Sequence, residues 1–222
     1  MTEGHWEKYW SSASNLDWWE RPAQEVVDLT KIFTPGTHPN VLDLGCGIGR
    51  HALMFAHKGY SVTATDESPS AIERVELDAN EQSVSIDTKI CEMLDQGFEA
   101  GTFDLILAYN VIYHGRRQEF AEAISHIDGL LRPSGVFFFT CPTRRDGKYG
   151  HGKLVAPHAY ESPNSVTPGD LHYFPDRSDL DDLLDSFNVL SIVRDEGNWD
   201  NKGNVQFYSN WQVLVEKPYS NP

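Results

Sequence analysis

Apolar positions along this chain fall into two alternating kinds of segment. Short runs rich in aliphatic and aromatic residues, Asn40–Leu44, Ser61–Thr65, Val84–Ile90, Phe103–Ala108 and Val136–Thr140, have the length and content of largely buried strands. Between them, apolar residues recur every three or four positions, which predicts helices over about 50–57, 69–80 and 117–131. Ser68-Pro69 reads as the cap and first turn of the second of these. An earlier helix is expected to begin at Pro22, to turn Val26, Val27, Leu29, Ile32 and Phe33 inward, and to stop at Pro35-Gly36. A short helix is expected over 177–187. The strands Val189–Arg194 and Gln206–Glu216 then follow each other with no helix between, so they are expected to pair antiparallel. Residues 141–175, rich in Gly, Pro, His and Tyr, read as a long loop, of a length that is usually functional or mobile. Alternation of strand and helix predicts an α/β domain whose mostly parallel sheet is covered on both faces.

Composition narrows the picture. A length of 222 residues suits one domain. No window holds about 18 consecutive apolar residues, and the N-terminus lacks the pattern of a signal peptide, so neither a membrane span nor export is expected. Cys46, Cys91 and Cys141 are odd in number and form no CxxC pair, which fits a reducing cytoplasm. A net charge of −15 repels phosphate backbones. Nucleic acid and anionic membranes are therefore not expected as partners.

The strongest chemical signal is Val41-Leu42-Asp43-Leu44-Gly45-Cys46-Gly47-Ile48-Gly49-Arg50, where a buried strand turns into a helix. Glycines there let the backbone turn and let a ligand lie against it, in the crevice at the carboxyl end of a strand. A dinucleotide loop needs G-x-G-x-x-G. Here Gly45 and Gly47 fit, but Arg50 stands at the last position and Gly49 comes one residue early. The pattern is D-x-G-x-G-x-G. Asp66 ends the next strand, where a carboxylate can accept hydrogen bonds from both hydroxyls of a ribose.

In these features the chain resembles the class I methyltransferases that use S-adenosylmethionine (SAM). The likeness extends through Cys91-Glu92-Met93-Leu94, through Phe103–His114, through Leu130–Val136 and through Trp211–Pro218. It implies a Rossmann-like fold with a seven-stranded sheet in the order 3-2-1-4-5-7-6, the seventh strand antiparallel. It implies SAM as the cofactor and cofactor contacts from Asp43, Gly45, Cys46, Gly47, Gly49, Asp66 and Glu67, with Glu92 and Met93 around the adenine and Tyr109 and Asn110 near the methionine part. Residues 1–35 carry Trp6, Tyr9, Trp10, Trp18 and Trp19, which either pack as core or form a lid. In similar enzymes Trp19 and Arg21 would stand where a segment closes on the cofactor, Arg21 against its carboxylate.

The acceptor is approached by elimination. The loop Asn110-Val111-Ile112-Tyr113 lacks the prolines that mark amino methylation of DNA bases, and Cys141-Pro142 reverses the order used for cytosine methylation. The 141–175 segment resembles an insertion in small-molecule members, including those of the tellurite-resistance type. A small-molecule acceptor is therefore expected, with Tyr113, Tyr149, His151 and Tyr173 lining its site and His172 or His114 as base. No tight His/Asp/Glu spacing indicates a metal. The protein is expected to act as a monomer or homodimer. A non-catalytic SAM-binding protein and a nicotinamide-dependent oxidoreductase remain as alternatives.

Overall fold

The structure, a computed structural model, describes residues 4–12, 17–95, 97–162, 169–201 and 204–219. The side chain of Trp18 and residues 163–168 of the 141–175 segment lie outside the described residues. In chain order the elements are α1 (His5–Ser12), α2 (Asp17–Glu20), α3 (Gln24–Leu29), β1 (Asn40–Leu44), α4 (Arg50–His57), β2 (Ser61–Asp66), α5 (Pro69–Glu81), β3 (Asp87–Ile90), β4 (Phe103–Ala108), α6 (Arg117–Leu130), β5 (Leu131–Pro142), β6 (Lys153–Ala156), β7 (Ala159–Ser162), β8 (Asp170–Tyr173), α7 (Arg177–Leu183), β9 (Asn188–Asn201) and β10 (Asn204–Glu216).

The main sheet has the order β3-β2-β1-β4-β5-β10-β9, with β10 antiparallel to both its neighbours. This is the expected seven-stranded arrangement, its last two strands being β10 and β9. Side chains of the central strands alternate between two cores, as period-2 geometry requires. Leu42, Ile106, Phe137 and Phe139 pack on one face with Phe120, Ile124 and Ile127 of α6. Val41, Leu105, Leu107 and Phe138 pack on the other with Val26, Phe55 and Val75 of α3, α4 and α5. β1 pairs with β2 on one side and β4 on the other, so a crevice opens between the carboxyl ends of β1 and β4, at the switch of strand order.

Three expectations are corrected. Residues 141–175 are not one long loop. β6, β7 and β8 form a separate three-stranded antiparallel sheet there. The early helix runs only from Gln24 to Leu29, because Ala23 is extended and its carbonyl opens the first turn, and Ile32, expected to turn inward, is 67% exposed beyond its end. β9 and β10 run on past their expected ends into a long hairpin. Among the described residues, no helix is long and apolar enough to cross a membrane.

Candidate cofactor and acceptor site

The loop after β1 places Gly45, Gly47 and Gly49 at φ of 62°, 54° and 80°, a region that favours glycine. A Cβ on Gly45 would lie 2.6 Å from both γ-carbons of Val111, and one on Gly47 would lie 2.7 Å from Cζ2 of Trp10. One on Gly49 would meet Val75 at 2.7 Å, so this third glycine lets α4 pack against α5 rather than facing a ligand.

Two carboxylates hold this loop. Gly49, at the N-cap of α4, has no side chain to cap the helix, and the Ala52 N–H donates instead to Asp43 Oδ2 at 3.0 Å. Asp43 is 1% exposed, and burial raises its pKa to about 7 against the opposing hydrogen bond from Ala52. Asp66 accepts from the Gly47 N–H at 2.9 Å and from the Ser68 N–H at 3.0 Å, one on each oxygen. Burial raises its pKa as well. A third backbone bond, from Glu67, also reaches this carboxylate, so of its about four lone-pair sites one is left for a ligand hydroxyl. Next to it, the buried Thr65 Oγ1 has no hydrogen-bond partner within the protein.

A cavity of about 430 Å³ opens at these strand ends, a volume in the range of small-molecule sites. It brings together Asp43, Gly45, Cys46, Gly47, Asp66, Glu67, Met93, Tyr109 and Asn110 from the expected cofactor set, and Tyr113, His114 and His172 from the expected acceptor set. Trp6 and Trp10 of α1 and Trp19 of α2 also line it. Trp10 meets Trp19 edge-on at 5.4 Å. α1 is anchored by Glu7, whose carboxylate accepts from the Ser68 hydroxyl (2.5 Å), the Ser70 hydroxyl (2.6 Å) and the Ser70 N–H (3.0 Å).

Other expected residues stand elsewhere. Arg21 is exposed, and its carbonyl accepts from Arg50 Nη1 at 3.2 Å. Arg50 itself lines the cavity, with its guanidinium over the rings of Tyr109 (4.9 Å) and Trp19 (5.6 Å). The sequence had marked Arg50 only as a misfit for a dinucleotide loop. Glu92 is exposed and outside the cavity. Tyr149 is turned to His158, whose Nδ1 its hydroxyl meets at 2.7 Å, and packs on Tyr160 and Phe174. His151 is exposed. Tyr173 is 1% exposed in the core against Phe120.

The acceptor end was not legible from spacing. Tyr173 N–H donates to the Tyr113 carbonyl and Gly115 N–H to the Leu171 carbonyl, both at 2.9 Å. These bonds set the loop after β4 beside β8 and bring His114, Asp170 and His172 together, with one ligand atom from each lying within 4.8 Å of the others. Burial lowers His172 to about 4, against the raising effect of Asp170. A base this weak is poorly matched to general-base work near pH 7. Lys148 and Asp170, neither expected, line the same end of the cavity.

Residues 41–135 match the family model described as a methyltransferase domain. Over this stretch the chain is similar to methyltransferase domains. The family uses SAM, and the glycine loop, the unpartnered Thr65 hydroxyl and the spare acceptor capacity of Asp66 fit such a cofactor. The ubiquinone biosynthesis O-methyltransferase of Methylocella silvestris is 36% identical over 98 residues, 44% of this chain and 38% of that protein. Its counterpart from Rickettsia akari is 30% identical over 53% of this chain and 46% of that protein. The matches therefore span about two fifths to half of these relatives. The fold is shared with TehB from Haemophilus influenzae, at TM-score 0.69 and 20% identity, over 88% of this chain and 62% of that one. It is shared also with the N-methyltransferase NodS from Bradyrhizobium japonicum in complex with S-adenosyl-L-homocysteine, at TM-score 0.67 and 18% identity, over 97% of this chain and all of that one.

Proposed function

We propose that this protein transfers the methyl group of SAM to a small-molecule acceptor. The observation that supports this reading is a single cavity running from the glycine loop to His114, Asp170 and His172 under an aromatic cover. Gly45 and Gly47 give the backbone room for the methionine part, Arg50 pairs with its carboxylate, Asp66 and Glu67 take the ribose hydroxyls, and Met93 packs on the adenine. Bound there, SAM supplies a methyl carbon activated by its sulfonium. The protein's part is to align the acceptor about 3–3.5 Å from that carbon, to exclude water with Trp6, Trp10 and Trp19, and to face the positive sulfur with aromatic rings.

The acceptor end is lined by ionisable side chains, and the chain is strongly acidic, which favours a small molecule over nucleic acid. The test is calorimetric titration with SAM and with its demethylated product, followed by transfer of labelled methyl to phenols, thiols and amines. Micromolar binding and turnover of a member of the panel are expected. No binding at millimolar SAM sinks the reading. Tight binding with no transfer to any acceptor moves the protein to the non-catalytic SAM-binding alternative.

A further inference from the structure

We propose that His114, Asp170 and His172 form a binding site for a divalent transition-metal ion of the zinc type. His114 Nδ1 lies 3.1 Å from Asp170 Oδ2, and His172 Nε2 lies 3.7 Å from the same oxygen. With metal–nitrogen and metal–oxygen bonds of about 2.0–2.2 Å, neighbouring ligand atoms around a tetrahedral ion stand roughly 3.3–3.5 Å apart. These two separations bracket that edge length, and the two histidine nitrogens lie within 4.8 Å of each other. Two imidazoles and one carboxylate are also a recurrent donor set for zinc and for ferrous iron.

The state of His114 points the same way. Its Nε2 lies 3.2 Å from the Asn110 carbonyl. A carbonyl only accepts, so Nε2 carries the proton. In a neutral ring Nδ1 then presents a lone pair, and it is buried with no hydrogen-bond partner although the Asp170 carboxylate is 3.1 Å away. Two acceptors held face to face repel each other unless a proton or a metal ion lies between them. A ring nitrogen tied to a backbone carbonyl while the other faces an ion is the usual outer support of a metal-bound histidine. The Asn110 backbone that offers this carbonyl sits at a positive φ of 61°, and its side chain is tied to Thr140 at 2.8 Å. The site is thus supported from β5 as well as from β8. Glu67 adds negative charge nearby, while Lys148 is a cation within reach of His172.

All three residues line the cavity, so the open positions of the ion face the acceptor. An acceptor offering an oxygen or sulfur anion is favoured. That consequence rests on the methyl-transfer reading; the metal site itself does not.

The untagged full chain is dialysed against zinc chloride, then metal-free buffer, and its metal content is measured alongside Asp170→Asn and His114→Gln variants. About one zinc per chain is expected in the wild type, with affinity at least tenfold weaker in each variant, and cobalt(II) should give visible absorption bands that the variants lack. Two variants are used so that one that fails to fold can be discarded by circular dichroism. Zinc retained equally by wild type and a folded variant, or by neither, overturns the site. SAM titration of the same samples separates the two readings, since a protein that binds SAM and no metal overturns the metal site alone.

Discussion

The cofactor side and the acceptor side of the cavity are built from the chain in opposite ways. On the cofactor side, Asp43, the glycine loop and Asp66 lie in one β-α-β stretch, and backbone amides tie them together: Ala52 to Asp43, Gly47 and Ser68 to Asp66. On the acceptor side, His114 and His172 come from distant segments and meet through two backbone bonds between the loop after β4 and β8. The first arrangement is local and repeats wherever the same spacing occurs. The second depends on a small extra sheet, β6-β7-β8, that can change without disturbing the first. On the proposed reading, then, the part that holds a common cofactor is coded by spacing and the part that selects an acceptor is coded by packing.

Substitutions on the two sides should separate this way. The largest effect is expected for Gly45→Ala. A left-handed residue costs about 1–2 kcal/mol and crowding against Val111 adds about 1–3 kcal/mol. SAM affinity measured by calorimetry should fall on the order of 100-fold, with a lower Tm, and retention of affinity within threefold contradicts the cradle role. Arg50→Ala should follow, with SAM binding weakened about 10–100-fold through loss of a charge-assisted hydrogen bond, while Arg21→Ala stays within about twofold. The reverse ranking restores the reading made from sequence.

A smaller effect is expected in the pH dependence of stability. The pKa of Asp43 is raised from 3.8 to about 7, chiefly by burial. Its favourable contribution is complete below about pH 4 and is lost as pH rises through 7, by up to about 1.4 kcal/mol per unit. Asp43→Asn keeps an acceptor for the Ala52 N–H but removes the titration. The Tm of the wild type relative to this variant should therefore decline from pH 4 to pH 8, and parallel curves refute the assignment. The smallest effect belongs to His151→Ala and Tyr149→Phe. Both should leave SAM affinity and the acceptor KM unchanged within about twofold, because neither residue lines the cavity.

What the sequence made legible follows the same division. β1, α4 and β4 stand at the expected boundaries, since each is a compact apolar pattern with a clear stop. Asp66 and Gly47 were legible because the spacing that marks them is the spacing that bonds them. β6, β7 and β8 were not. Each has four residues, Lys153 and Leu154 are exposed, and no alternation survives at that length. The pairing of His114 with His172 was hidden for the same reason. Arg21 and Arg50 illustrate a subtler limit. Position in the chain favoured Arg21, but its main chain, not its side chain, meets the site, and the guanidinium that reaches the cavity is fixed by the rings of Trp19 and Tyr109.

The crowding of acidic groups around Glu67 has a bearing on turnover. Burial raises its pKa first, and Asp66, Glu92 and Asp170 add to the rise against the opposing effect of His114, so carboxyl groups crowd this wall of the cavity. On the proposed reaction, the donor enters carrying a sulfonium and leaves as an uncharged thioether. A wall of this sign holds the spent molecule less tightly than the fresh one. On that reading, the change in ligand charge favours exchange of product for donor.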